Sequence, residues 1–178
     1  MKLNVGCWKR DLPGFINIDL IELPHIDFKT DIGDLNMFDD DSADLIYCSH
    51  ALEYKTLVEV NTTLKEWWRV LKPGGILRLS VPNFQALVEI YNLCGDIRNI
   101  QGPIFGFMQI NDHTINHKVL YDYQLLERVL KDAGFKNIGL YDWKSTEHAD
   151  VDDHSQAYYP HMDKDNGILV SLNMQCNK

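Results

Sequence analysis

Four histidines, His50, His113, His117 and His161, stand in or beside stretches without regular periodicity, and Asp112 and Asp163 lie close to two of them. An imidazole titrates near neutral pH, and a nearby carboxylate can orient it or take a proton itself. These residues are therefore candidates for moving a proton, although each also has a bland reading as a packed or surface residue. Asp19 offers different chemistry. It ends a short apolar stretch, and a carboxylate in that place can accept two hydrogen bonds from a ribose diol, a geometry that a neutral side chain matches poorly.

These residues need a frame, and the chain supplies one. Residues 3–7 and 15–20 read as buried strands, the first running into a glycine turn at Gly6. Only residues 8–15 join them, fewer than a parallel crossover normally takes, and Pro13-Gly14 is a turn signal. An abbreviated crossover is expected. A third short strand is expected to end near Ile32, and a fourth to span residues 43–48. Thr56 and Glu59 form a capping box before apolar residues at helical spacing through Leu71. Pro73-Gly74-Gly75 then turns the chain into a strand over 76–81. Trp67 and Trp68 are expected to pack against the sheet. Asn83 reads as the cap of a helix closed by Gly95, and a further helix over 126–133 is closed by Gly134. Residues 135–143 and 168–176 read as two closing strands. The intervals 96–120 and 144–167 lack clear periodicity and are expected to be loops on the substrate side.

This alternation predicts one α/β domain over residues 1–178. It should have a Rossmann-like, mostly parallel seven-stranded sheet with helices on both faces and a terminal antiparallel strand pair, abbreviated at the N-terminus. Ligands of such sheets bind beyond the carboxyl ends of the strands, where Gly6, Asp19, Asp34, Ser49 and His50 would converge.

Composition narrows the partners. The net charge is −9 with no cluster of lysine and arginine, which argues against nucleic acid. The four cysteines form no C-x-x-C pair, and Asp39, Asp40 and Asp41 read as a solvated turn, so no metal is expected. No apolar run approaches the ~18 residues that cross a bilayer. A cytoplasmic protein without membrane insertion is the expectation.

The stretches at 3–8 and 15–20, with residues 44–50 and 71–75, resemble a class I S-adenosylmethionine (SAM)-dependent methyltransferase of the small bacterial, type 11-like kind. The resemblance implies that Asn4, Gly6, Cys7 and Trp8 wrap the methionine part of the cofactor. It further implies that Asp19 and Leu20 meet the ribose, that Asp34 and Leu35 lie by the adenine, and that Ser49 and His50 open a segment that closes over SAM. Methyl transfer to a hydroxyl needs a base, and His50, His113, His117, His161 and Asp163, with Asp112, are the candidates. Residues 158–164 resemble a segment of small bacterial methyltransferases associated with surface polysaccharides. The implied acceptor is a small molecule or a glycan. A homodimer is possible if the first strand is exposed.

Trp8 departs from the family pattern, which has a glycine there, and Tyr54 stands where many relatives carry histidine. A non-catalytic methyltransferase-like module acting as a partner or regulatory subunit is therefore the alternative. A dinucleotide-dependent oxidoreductase fits less well, because the full G-x-G-x-x-G is missing and the span from Gly6 to Asp19 leaves no room for a phosphate-binding helix.

Overall fold

The computed structural model describes residues 1–110 and 113–178. Short apolar runs make the first strands: β1 (Lys2–Val5), β2 (Ile16–Asp19), β3 (Phe28–Lys29) and β4 (Ala43–Ser49). Helix α1 (Leu57–Val70) follows, then β5 (Leu71–Pro82), α2 (Phe84–Cys94), α3 (Arg98–Phe105), and the strands β6 (Met108–Ile110) and β7 (His113–Ile115). Helix α4 (Tyr123–Asp132) and strands β8 (Lys136–Leu140), β9 (Tyr158–Tyr159), β10 (Ile168–Leu169) and β11 (Ser171–Asn177) complete the chain. The main sheet has seven strands in the order β3-β2-β1-β4-β5-β11-β8. β1 to β5 run parallel, and β11 enters antiparallel between β5 and β8.

Side chains alternate across β4, and the two faces are covered differently. Ile46 and Cys48 join Leu3, Val5, Val60, Leu64 and Trp67, with Leu126 and Leu130 of α4, in the principal core. Leu45 and Tyr47 pack instead against Leu12 and Phe15, residues of the β1–β2 link. That link holds no helix, so a loop does the covering that a full crossover would do. A third cluster joins Leu87, Ile90 and Ile100 to Val170 beside β10.

The capping box forms as expected: Thr56 accepts from the Glu59 N–H, and Glu59 accepts from the Thr56 N–H at 2.7 Å. Trp67 is fully buried and its indole N–H donates to the Ile32 carbonyl. Trp68 differs from expectation. It stands partly exposed on the outer side of α1, with the Lys178 ammonium 4.0 Å from its ring centroid.

Four further expectations need correction. The third strand is Phe28–Lys29, and residues after it, including Ile32, form turns in which Asp31 accepts from the Gly33 N–H. Residues 73–75 are an irregularity within β5, since Ala43 pairs with Leu71 and Leu45 with Ile76. Residues 96–120 are not merely a loop, because they hold α3 and the β6–β7 hairpin. Gly102-Pro103 signals a turn, yet Pro103 sits inside α3, where it forfeits one backbone hydrogen bond while Ile100 and Ile104 pack on the third cluster. Finally, β1 lies between β2 and β4, so the exposed first strand that favoured a homodimer is not present. Among the described residues no helix is long and apolar enough to cross a membrane.

Candidate active site

A cavity of about 540 Å³ opens at the carboxyl ends of β1 and β4. Its floor is the turn that follows β1. Gly6 takes φ +70°, and the next turn residue but one, Trp8, takes φ +46°, so the tryptophan adopts the left-handed backbone that the missing glycine would have taken. Several bonds hold it there. The Trp8 N–H donates to Asp19 Oδ2 at 2.7 Å, its carbonyl contacts His25 Nε2 at 2.8 Å, and Lys9 lies over the indole. Asn4, 2% exposed, ties the same turn together by donating to the Arg10 carbonyl and to Asn17 Oδ1.

The opposite wall comes from α3, the β6–β7 hairpin and the long β8–β10 connection. His117, Phe107 and Met108 line it, and so do Asp153 and His154. Asp153 is fixed by the Tyr47 hydroxyl, which donates to its Oδ2 at 2.6 Å, and by the Ser155 N–H. Burial and the Asp153 charge push the Tyr47 phenol well above its ordinary value, so it stays a donor. Arg10 lines the cavity too, with its buried Nε lacking a hydrogen-bond partner among the described residues. Burial and then the Arg10 charge lower the His154 pKa.

Residues 17–79 match the family model described as methyltransferase domain. The whole chain has the fold of several solved structures. One is a SAM-dependent methyltransferase from Archaeoglobus fulgidus, 15% identical, with 99% of this chain and 85% of that chain covered at a TM-score of 0.61. A second, from Methanosarcina mazei, is 16% identical over 99% of this chain and 91% of that chain, with a TM-score of 0.58. A third is the Burkholderia thailandensis 1,6-didemethyltoxoflavin-N1-methyltransferase with bound S-adenosylhomocysteine, 14% identical over 99% and 70%, with a TM-score of 0.56. A comparison with curated proteins finds no match. The chain carries a methyltransferase-domain signature and has the fold of these SAM-dependent methyltransferases.

The fold brings some of the expected residues together and leaves others apart. Asn4, Gly6, Cys7, Trp8, Ser49, His50 and His117 all line the cavity. The Cys7 thiol is pushed up to about 12 by burial and the Asp19 charge, so it is no nucleophile. Asp19 lies behind the turn, 8% exposed, with Oδ1 accepting from the Ile21 N–H and Oδ2 from Trp8. Leu20 and Asp34 are exposed beyond it. Leu35 is fully buried in the principal core, and its N–H donates to Glu66, so it shapes its loop from below. His113 is exposed on β7 and His161 is exposed after Pro160, and neither is among the residues that line the cavity. Asp163 accepts from the Asn166 N–H and organises its own turn. Asp112 lies outside the described residues.

The sequence alone does not mark Arg10, Glu53, Asp153 and His154 as site residues, although Glu53 falls in the segment expected to close over SAM and Asp153 and His154 fall in the 144–167 interval. Glu53 is the most unusual of the four. It is 0% exposed, its carboxyl is pushed up to about 8 by burial, and among the described residues neither oxygen has a hydrogen-bond partner. The available signal is its place: four residues after the end of a central strand, next to Tyr54, whose ring stacks edge-on against His117.

Proposed function

We propose that this protein is a SAM-dependent methyltransferase acting on a small-molecule or glycan acceptor held in the cavity, with His50 and His117 as its proton-accepting side chains. One observation supports this above others: a single cavity joins the β1 turn to three imidazoles, those of His50, His117 and His154, and to an apolar outer wall. SAM, when bound, supplies a methyl group on a positively charged sulfur. The residues fit that cofactor. A Cβ on Gly6 would lie 2.4 Å from Ala51 Cβ, so the turn closes tightly beneath the cavity. Arg10 and Asp153 give the lining one cation and one anion, suited to the carboxylate and ammonium of an amino acid. Asp19 keeps a lone pair on each oxygen for a ribose diol, with Leu20 and Asp34 at the nucleoside end.

The orientation of the imidazoles follows from their partners. The His117 Nδ1–H donates to the Pro103 carbonyl at 3.0 Å, which leaves Nε2 as the lone-pair nitrogen. Burial lowers the pKa of both rings, so both are neutral acceptors at pH 7. Gly106 keeps His117 in place, since a Cβ there would lie 2.2 Å from Nε2. Gly106→Ala is expected to displace the ring and lower kcat roughly 10- to 100-fold while the Kd for SAM stays near that of the parent protein. Steady-state kinetics beside SAM titration checks this.

The deciding experiment pairs calorimetric titration with SAM, S-adenosylhomocysteine and NAD with transfer of labelled methyl from SAM to pools of small molecules, glycans, protein and RNA. Saturable binding of the first two ligands, and label in the small-molecule or glycan pool, is the expected result. Label in protein or RNA alone would overturn the acceptor class. Asp19→Ala is expected to weaken SAM binding tenfold or more, since each charged hydrogen bond contributes ~1.5–3 kcal/mol. An unchanged Kd would remove Asp19 from the ribose site.

A further inference from the structure

Glu53 sits where two histidines converge. His50 Nδ1 lies 3.5 Å and His117 Nε2 3.7 Å from its Oε1, just beyond a formed hydrogen bond. Hydrogen-bond bookkeeping fixes which protons are present. Asn173 Nδ2 donates to the Ser155 carbonyl, so its Oδ1 is free to accept, and the Ser171 hydroxyl donates to that Oδ1. Ser171 Oγ, 2.9 Å from His50 Nε2, must then accept from it. His50 therefore carries its proton on Nε2 and turns the Nδ1 lone pair toward Glu53. His117, with its proton on Nδ1, turns the Nε2 lone pair the same way. Two imidazole acceptors and one carboxyl face each other, and among the described residues no donor is hydrogen-bonded to the carboxyl, so one shared proton is what joins the three.

We infer that Glu53, His50 and His117 form a single proton site in the cavity wall, with Glu53 a positioning residue that holds one proton at rest and, once ionised, makes its two histidines the base for the methyl acceptor. The inference rests on the function proposed above. The resting state is neutral. When Glu53 is ionised, the acceptor's heteroatom takes the methyl group, sulfur keeps the carbon–sulfur electron pair, and the heteroatom's proton forms an N–H bond on His50 or His117. The carboxylate beside it balances the imidazolium. Cys48, Tyr54 and Tyr121 also face this site. Burial and the Glu53 charge raise all three, to about 12 for Tyr54, so none of them competes for the role. His154, 5.2 Å from the His50 ring, disfavours a charge on His50 when protonated itself.

A cationic sulfur in the same cavity favours the ionised carboxylate, whereas the neutral sulfur of the demethylated product does not. Binding of SAM should therefore expel protons, and binding of S-adenosylhomocysteine should expel fewer. Three measurements test this. Infrared spectroscopy of the cofactor-free protein should show a protonated carboxyl band at pH 7 that is lost with a midpoint near 8 and is absent in Glu53→Gln. Histidine ¹⁵N spectra of the unsubstituted protein, which need no variant to fold, should report His117 as the Nδ1–H tautomer and His50 as the Nε2–H tautomer. Calorimetry in buffers of different ionisation enthalpy should show proton release with SAM exceeding that with S-adenosylhomocysteine, and Glu53→Gln should abolish the difference. A missing band, the opposite tautomers, or equal proton release overturns the inference. Failure of SAM to bind overturns the proposed function instead, and the infrared and ¹⁵N results then still decide whether the proton site exists.

Discussion

Gly6→Ala is expected to cost the protein about 2–5 kcal/mol of stability and most of its affinity for SAM. Two terms add. An L-residue at φ +70° costs on the order of 1–2 kcal/mol, and a methyl group 2.4 Å from Ala51 Cβ and 3.2 Å from Ile32 Cγ2 forces the β1 turn or the segment after β4 to move, for a further ~1–3 kcal/mol. Gly14 separates the terms. It has φ +82° in the same link, but no atom lies within 4 Å of where its Cβ would stand, so Gly14→Ala should show the conformational cost alone. Thermal unfolding should place Gly6→Ala roughly 5–15 °C below the parent protein and Gly14→Ala only a few degrees below it. Equal shifts would mean that the contact with Ala51 is relieved at no cost. The consequence for binding follows from the same geometry, because the displaced segment includes His50 and the turn includes Cys7 and Trp8.

Trp8 shows why the cofactor turn is legible only in part. Its type signals an obstructed loop, yet positive φ is set by the bonds around a residue as well as by its side chain. Asp19 takes the Trp8 N–H and His25 meets its carbonyl, and neither bond is visible in a linear pattern. The frame is easier to read. Apolar runs in β1, β2 and β4, the capping box of α1 and the Gly95 stop of α2 are local signals, and each forms where the pattern places it. β3 escapes the pattern because it is only two residues long, Phe28 and Lys29, too short for an alternation, and both are exposed. α3 escapes it because Pro103 reads as a breaker, while the packing of Ile100 and Ile104 that overrides it depends on residues over 60 positions later.

The candidate site divides along the same line. His50 follows a strand, and its place in the crevice is legible from topology. His113 and His161 stand out by type and by lying in irregular stretches, yet both are exposed, on β7 and in the turn after Pro160, and neither lines the cavity. Arg10, Asp153 and His154 reach it only because the link after β1 and the connection before β10 fold over the face of the sheet that no crossover helix occupies. Glu53 is least legible of all. Its meaning lies in what surrounds it, two neutral imidazoles and no hydrogen-bond partner for either oxygen among the described residues, rather than in its spacing.

That environment makes the pH dependence of stability unusual. Glu53 titrates near 4.5 when the chain is unfolded and at about 8 when folded. Across that window the folded state holds a proton that the unfolded state has released, so each pH unit of increase lowers stability by up to ~1.4 kcal/mol. The contribution is fully present below 4.5 and is lost as the pH rises through 8. His50, His117, His148 and His154 act oppositely. Burial lowers their folded values, so they favour the folded state above 6.5 and withdraw that support as the pH falls. The parent protein should therefore be most stable within the window and weaken toward pH 8. Glu53→Gln removes only the falling limb. Its stability relative to the parent should rise by a few kcal/mol between pH 5 and pH 8, read from urea unfolding at each pH with unchanged m-values. Parallel curves for the two proteins would show that Glu53 ionises as freely in the fold as in the unfolded chain, and that the two histidines have no proton to share with it.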